Sequence, residues 1–377
     1  MKISLLSENL GKKLSFLNHA ISSRTQLPVL TNFLIEAKEN NVNISATDLE
    51  IGISTEIPAK IEEDGEVLVS AKTFLELISA IPQGKITLEK KPEGLTLSGE
   101  KTEVMFQISA GEDFPKLFEK KGEEKIVLKK EDLEKDFSKI IFAASQDIGR
   151  PVLSGVLVRE NESGGLMLVA TDGYRLSLKK NALKGFKKKG EEKNISLIVP
   201  SRVIREAVLM SGEMGGEELE VFFPKENNQI LFHQNDTTIV GRLIEGEFPA
   251  FEKIIPHEFA AKAIFEKDAL YKAVKACYVF ARETAGIIKL TLGKGKIVVS
   301  ANAPSLGKNR IEIDAKTEGE ENEIAFNARY LLEFLAHVEE SSLSFEMMGP
   351  LNPGVFKIAG DDSFLHLIMP IRVVQEA

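Results

Sequence analysis

The tripeptide Ala-Thr-Asp stands at positions 46–48 and again at 170–172, each time after a strand-like apolar run and before an alternating one. The copies lie 124 residues apart, about one domain length, so internal repetition constrains this chain more than any other feature. Ahead of the first copy, Leu10, Leu14, Leu17 and Ile21 fall at helical spacing, followed by Arg24, Pro28-Val29-Leu30 and the strand-like NFLIEA. Ahead of the second, Leu133, Phe137, Ile140 and Ala144 repeat that spacing, and Arg150-Pro151-Val152-Leu153 and GVLVRE come next. Leu10 to Pro28 and Leu133 to Pro151 are both steps of 18 residues. A third, more diverged copy begins near Ala263. There Leu270, Val274 and Cys277 form the stripe, GIIKLTL and KIVVSAN supply the strands, and Asn302 replaces the aspartate.

Each copy continues into a matching second half. EVLVSAKTFLELISAI, SLIVPSRVIREAVLM and EIAFNARYLLEFLAHV each read as a short strand, a turn and an amphipathic helix, with period-2 segments after them. The first two copies close alike, on GEDFP at 111–115 and GEFP at 246–249. The pattern predicts an α+β chain of three homologous domains, 1–124, 125–257 and 258–377, each made of two helix-plus-antiparallel-sheet halves. The lysine-rich stretch 184–194 reads as a solvated loop inside the second domain.

Hydrophobic residues at 43% and charged residues at 28% fit a soluble globular protein. No apolar run approaches the ~20 residues that cross a bilayer, and the first residues carry no small-residue cleavage site, so neither a membrane span nor a signal peptide is expected. Cys277 is the only cysteine, which excludes a disulfide within the chain and fits a reducing cytoplasm. A net charge of −9 argues against a protein that coats nucleic acid, while leaving room for basic residues gathered on one surface.

At a strand end, the side chain of Asp172 can accept from backbone N–H groups two residues on, and Gly173 can supply a positive φ, so the repeated aspartate reads first as a turn-holder. The five histidines, His19, His233, His257, His337 and His366, are scattered and match no zinc-ligand spacing, and neither a phosphate-binding loop nor a nucleophile elbow occurs. Cys277 lies on the apolar stripe of its helix and reads as core. Three-fold repetition without a singular site favours a scaffold or binding protein, and no cofactor or metal is expected.

LPVLTNFLIEA with ISATDLEI, RPVLSGVLV with VATDGYRLSL, and LIMPIRV near the C-terminus together resemble the bacterial DNA polymerase III beta subunit, the sliding clamps, over essentially the whole chain. The resemblance implies three tandem domains of the DNA-clamp fold with helices lining a central pore. It implies a head-to-tail homodimer ring that encircles double-stranded DNA without reading its sequence, in the cytoplasm and on the nucleoid. Such a processivity factor has no catalytic site of its own. Its partners are the polymerase III catalytic subunit, the clamp loader, other polymerases and repair proteins, and no membrane is involved.

The candidate inner helices carry Lys12, Lys13, Lys135, Lys139, Lys272 and Lys275, with acidic residues between them, and a modest positive excess suits sequence-blind sliding along phosphates. Lys72, Arg202 and Arg329 begin the second-half helices, and by resemblance Arg24, Gln146 and Arg150 match DNA-touching positions. The partner-peptide pocket implied by the family maps onto Leu153, Thr171, Gly173, Tyr174, Arg175, Leu176, Pro249, Ile254, Leu367, Met369, Pro370, Ile371 and Arg372. Tyr174 stands where the family often has histidine, and the chain continues four residues past Val373. Val104 and Phe106 match one side of the family's dimer interface and Val279 and Phe280 the other. Two other readings remain open from residues alone: a repeat-built scaffold that never encircles DNA, and an enzyme using Asp172, Tyr174 and Arg175 in a cleft.

Overall fold

At six places among the described residues a short strand passes straight into a helix, as the six half-repeats require. In the computed structural model, which describes residues 1–22, 27–38, 41–109, 113–117, 125–147, 149–161, 165–183, 195–213, 215–223 and 228–372, the helices are α1 (Ser7–Leu17), α2 (Ala71–Ala80), α3 (Lys130–Ile141), α4 (Ser201–Glu213), α5 (Lys267–Ala281) and α6 (Ala328–His337). Strands Lys2–Leu6, Gly65–Ser70, Lys125–Lys129, Ser196–Pro200, Ala261–Glu266 and Asn322–Asn327 precede them in turn. The apolar stripes face inward: Leu10, Leu14 and Leu17 on α1, Leu133, Phe137 and Ile140 on α3, and Leu270, Val274 and Cys277 on α5 are all buried. Ile21 and Ala144, expected to extend two of these stripes, lie beyond the ends of their helices.

The third repeat departs from the other two in its long strand Gly307–Gly319, which pairs along Lys296–Ala303 with its first part and along Ala261–Glu266 with its last. In the first repeat the same path is broken into Ile51–Ile57 and Lys60–Glu63. Pro58 stands in the break, where a residue without an N–H cannot continue the ladder, and the third repeat reads Ile313-Asp314-Ala315 for Ile57-Pro58-Ala59. The inward row Ile297, Val299 and Ala301 answers to Val42, Ile44 and Ala46. Cross-strand partners Thr47↔Gly52, Thr171↔Leu176 and Asn302↔Lys308 place Asn302 in the threonine's position and Ala303 in the aspartate's, which corrects the expectation that Asn302 replaces the aspartate.

Hydrogen-bonded sheets cross the lines between repeats. Strand Ile51–Ile57 pairs antiparallel with Thr237–Arg242, setting Ile53 beside Ile239 in a nine-stranded sheet. Strand Arg175–Ala182 pairs with Asp361–Ile368, setting Ser177 beside His366 in a twelve-stranded sheet. The chain therefore clusters into two compact bodies, one of described residues within 1–130 and 202–243, the other within 131–186, 191–201 and 244–377. The second repeat is shared between them: α3 from Glu131 onward and strands Gly155–Glu160, Leu166–Thr171, Arg175–Ala182 and Ser196–Pro200 belong to the second body, while strand Lys125–Lys129 and α4 from Arg202 onward belong to the first.

Candidate functional site

Both Thr-Asp turns have the same wiring. Thr171 Oγ1 donates to the Arg175 carbonyl (2.6 Å) and accepts from the Gly173 N–H (3.0 Å), while Asp172 Oδ1 accepts from Tyr174 N (2.8 Å) and Arg175 N (3.0 Å). In the first repeat Thr47 Oγ1 donates to Ile51 O (2.8 Å), and Asp48 Oδ1 accepts from Glu50 N and Ile51 N (both 3.0 Å). The carboxylate is the turn-holder that its position predicted. Gly173 supplies a φ of 90°, whereas the first repeat places Leu49 at φ 78°, a conformation costly for a side chain with a Cβ.

The second turn differs from the first in the residues it carries, and these build a site. Arg175 is 8% exposed, and its guanidinium reaches Asp172 through Nε (3.0 Å), Glu333 through Nη1, and the Phe142 carbonyl through Nη2 (2.9 Å). It also lies 4.8 Å from the Tyr330 ring centroid and 5.4 Å from that of Phe142. Tyr174, 57% exposed, is stacked on Tyr330 with centroids 6.5 Å apart. Burial, and then the Asp172 charge, push the Tyr330 phenol above its ordinary value. Burial and the neighbouring Arg175 and His337 hold the wholly buried His366 well below its ordinary value.

Beside this polar strut lies an apolar cluster in which Leu157, Val169, Leu176, Leu178, Phe251, Val355 and Leu367 are buried and Val152, Phe248, Ile255 and Met369 are partly open. Register sets Leu176 beside Leu367 and Arg175 beside Ile368, and Met369 N donates to Tyr174 O (2.8 Å). Ile371 N donates to Ala325 O (2.8 Å), fixing the strand's exit with half-buried Pro370 and exposed Arg372. Leu153, Pro249 and Ile254 lie on or next to two one-turn 3₁₀ segments, Pro151–Ser154 and Phe251–Ile254, which border the cluster through Val152, Phe248, Phe251 and Ile255. Thus Thr171, Tyr174, Arg175, Leu176, Leu367 and Met369 come together around one apolar ledge, partly open at Val152, Phe248, Ile255 and Met369. Sequence reasoning missed Tyr330, Glu333 and Phe142; nothing in the local pattern links them to a turn far away in the chain. Arg24, the first two residues of GEDFP, the lysine-rich stretch 184–194 and residues 373–377 lie outside the described residues.

Models of the DNA polymerase III beta subunit match the chain three times: the N-terminal domain over residues 1–118, the central domain over 127–250 and the C-terminal domain over 252–372. The beta sliding clamp of Staphylococcus aureus is 31% identical over 369 residues, covering 94% of each chain. This chain belongs to the beta sliding clamp family. Its fold is that of three tandem clamp domains, and the family is the processivity factor of DNA polymerase III, a partner of DNA and polymerase and not itself a catalyst. The solved sliding clamp of Bacillus subtilis superposes with a TM-score of 0.91 at 25% identity, and that of C. crescentus with 0.90 at 27%; each comparison covers 99% of this chain and 100% of the other.

In this clamp the expected DNA contacts differ in freedom. Lys72 and Gln146 are exposed. Arg150 bonds to Asp147 (3.0 Å) and to the Asp172 carbonyl (3.1 Å), which ties its loop to the second Thr-Asp turn. Arg329 is exposed and donates to the Tyr278 hydroxyl (2.9 Å), whereas Arg202 is engaged by Asp48 and by the His19 carbonyl (2.7 Å). Lys12, Lys135, Lys272 and Lys275 are exposed, but Lys13 pairs with Asp236 and Lys139, 2% exposed, pairs with Glu340. Lys139 is therefore a buried structural cation, unlike the inner-surface lysine expected. Val279 is 50% exposed and Phe280 half-buried at the end of α5, while Phe106 packs edge-on against Phe74 at 5.3 Å and its neighbour Met105 is 55% exposed. No helix among the described residues is long and apolar enough to cross a membrane. Cys277 is buried, which pushes its thiol up to about 11, as suits a core residue.

Proposed function

We propose that two copies of this clamp, each of domains 1–124, 125–257 and 258–377, close head to tail into a cytoplasmic ring around double-stranded DNA. The ring holds the polymerase III catalytic subunit, the clamp loader and other replication and repair proteins by peptides seated at the Leu176–Met369 ledge. Lys72, Gln146, Arg150 and Arg329, with Arg24 and Arg202, face phosphate without reading bases. One observation carries the ring: the chain makes the same strand-to-strand junction twice and, among the described residues, keeps both halves of a third one open. Strand Glu103–Phe106 is the edge of its five-stranded sheet, and the Gly307–Asp314 part of the long third-repeat strand is paired on one side among the described residues.

The two internal junctions supply the register of the third. Ile53 and Ser177, which meet Ile239 and His366, correspond to Asn309, and Ile239 corresponds to Val104. Setting Val104 beside Asn309 of a second copy places Glu103 opposite Arg310 and Lys101 opposite Glu312. Both are opposite-charge cross-strand pairs. The exposed Met105 and Leu306 then lie along the same seam.

Sedimentation equilibrium of Glu103→Arg, Arg310→Glu and the double variant tests this. Each single change is expected to weaken association about tenfold and the double change to restore most of it. Single variants as tightly associated as the parent would remove the proposed register. For the pocket, Met369→Ala is expected to weaken a polymerase-derived peptide while association survives, and unchanged peptide binding would move the site elsewhere.

A further inference from the structure

The two sheet junctions are built alike but lined differently. Around the second, register places Arg159 beside Met167, and Leu157, Val169 and Leu178 in one row. Around the first, the corresponding partners are Glu36 beside Asn43, and Leu34, Ser45 and Ser54 in one row. Three apolar side chains have become short polar ones, and an arginine has become a glutamate. Instead of a filled core there is a cavity of about 370 Å³, walled by these residues together with Glu66 and the Phe114–Leu117 segment.

An apolar anchor has no place here. Leu117 lies over Gly52, the counterpart of Leu176, so closely that a Cβ on residue 52 would stand 2.7 Å from Leu117 Cδ2. Gln229 holds the segment by donating to the Leu117 carbonyl (3.0 Å). The space left over is polar. Ser54 Oγ donates to Asn43 Oδ1 (2.7 Å), and Asn43 Nδ2 donates to Ser45 Oγ (3.2 Å) and Glu36 Oε2 (3.4 Å). Ser45 is 4% exposed, and its own hydroxyl proton has no acceptor among the described residues.

Charge decides the occupant. Glu36 and Glu66 face each other directly across neighbouring strands, and among the described residues neither carboxylate has an ion pair. Like charges directly opposite destabilise a sheet, so the pair is held at a cost that a bound cation would remove. In the second repeat the corresponding place is filled from within, by the Arg159 guanidinium lying 5.2 Å from the Phe251 ring centroid and paired with Glu252. The first repeat has the carboxylates, and among the described residues no cation pairs with them. Lys116 lines the mouth and is exposed.

We infer that this cavity is a second binding site, distinct from the peptide ledge, and that it takes the guanidinium of an arginine side chain carried on a partner segment. The planar fork meets Glu36 and Glu66 on one side and the Ser45 and Asn43 oxygens on the other, while the aliphatic stem lies along Leu34 and Phe114. The site is large enough for such a group and its immediate neighbours.

Nα-acetyl-L-arginine amide, titrated into the full chain while the methyl resonances of Leu34 and Leu117 are followed, tests the inference. Saturable shifts are expected, at least about tenfold weaker with the neutral citrulline amide and about tenfold weaker in Glu36→Gln, whose fold is checked by its thermal transition. The absence of a saturable shift, equal binding of the citrulline compound, or an unchanged response in Glu36→Gln would each overturn it. A Met369→Ala chain is expected to give the parent's titration, so the outcome stands apart from that of the peptide ledge.

Discussion

Replacing Asp172 by asparagine separates the two tasks of its carboxylate. The amide oxygen can still accept from Tyr174 N and Arg175 N, at 2.8 and 3.0 Å in the parent, but the charge beside Arg175 Nε at 3.0 Å is lost. Arg175 is 8% and Asp172 14% exposed in their side chains, so solvent screens this pair little. A hydrogen bond to a charged group contributes about 1.5–3 kcal/mol, and Arg175 keeps Glu333 and the Phe142 carbonyl, so Asp172→Asn is expected to cost about 2 kcal/mol. Asp172→Ala also loses the two backbone bonds, each about 1 kcal/mol, and is expected to cost about 4 kcal/mol. The chain has no tryptophan and four tyrosines, Tyr174, Tyr271, Tyr278 and Tyr330, all in the second body, so tyrosine fluorescence during urea unfolding reports on that body. An asparagine variant within about 0.5 kcal/mol of the parent, or an alanine variant no worse than asparagine, would refute the assigned roles.

Leu49→Asn relieves a positive φ of 78° at an exposed side chain and is expected to stabilise the first body by about 0.5–1 kcal/mol, read by circular dichroism during urea unfolding. His366 stacks on Phe334 at 4.6 Å and shares a 2.7 Å hydrogen bond with Ser177, and its folded value lies below the ordinary 6.5. Its contribution to stability is therefore complete above that ordinary value and is progressively lost as the pH falls below it, because the unfolded chain takes up the proton that the folded chain refuses. Tyrosine-monitored unfolding of His366→Phe is expected to show a smaller loss over the same range than the parent. Gly241→Ala sets a Cβ 2.5 Å from Val203 Cγ1 and is expected to lower the unfolding midpoint, with a loss of about 1–3 kcal/mol.

The repeat was legible because each half must bury one helical stripe against a sheet, and Leu10, Leu133 and Leu270 announce that burial locally. The Thr-Asp turn was legible for the same reason, since its hydrogen bonds close within a few residues. Pairings across the domain lines were not: nothing near Ile53 marks Ile239 as its neighbour, because an antiparallel edge accepts any partner of suitable pattern. The residues proposed to hold a peptide came from resemblance, whereas the strut beside them, Arg175 against Glu333, Phe142 and Tyr330, joins segments remote in sequence. Lys139 shows the limit of reading charge as exposure, for its ammonium is buried against Glu340. The third repeat shows the limit of reading a tripeptide, because strand register moves Asn302 into the place of threonine.

Electron-microscope class averages of the free protein at micromolar concentration test the central claim most directly. Closed rings of two copies, with a hole that admits a DNA duplex and the Glu103–Phe106 edge joined to the long strand of the next copy, are the expected result. Single chains, or pairs joined anywhere else, would contradict it.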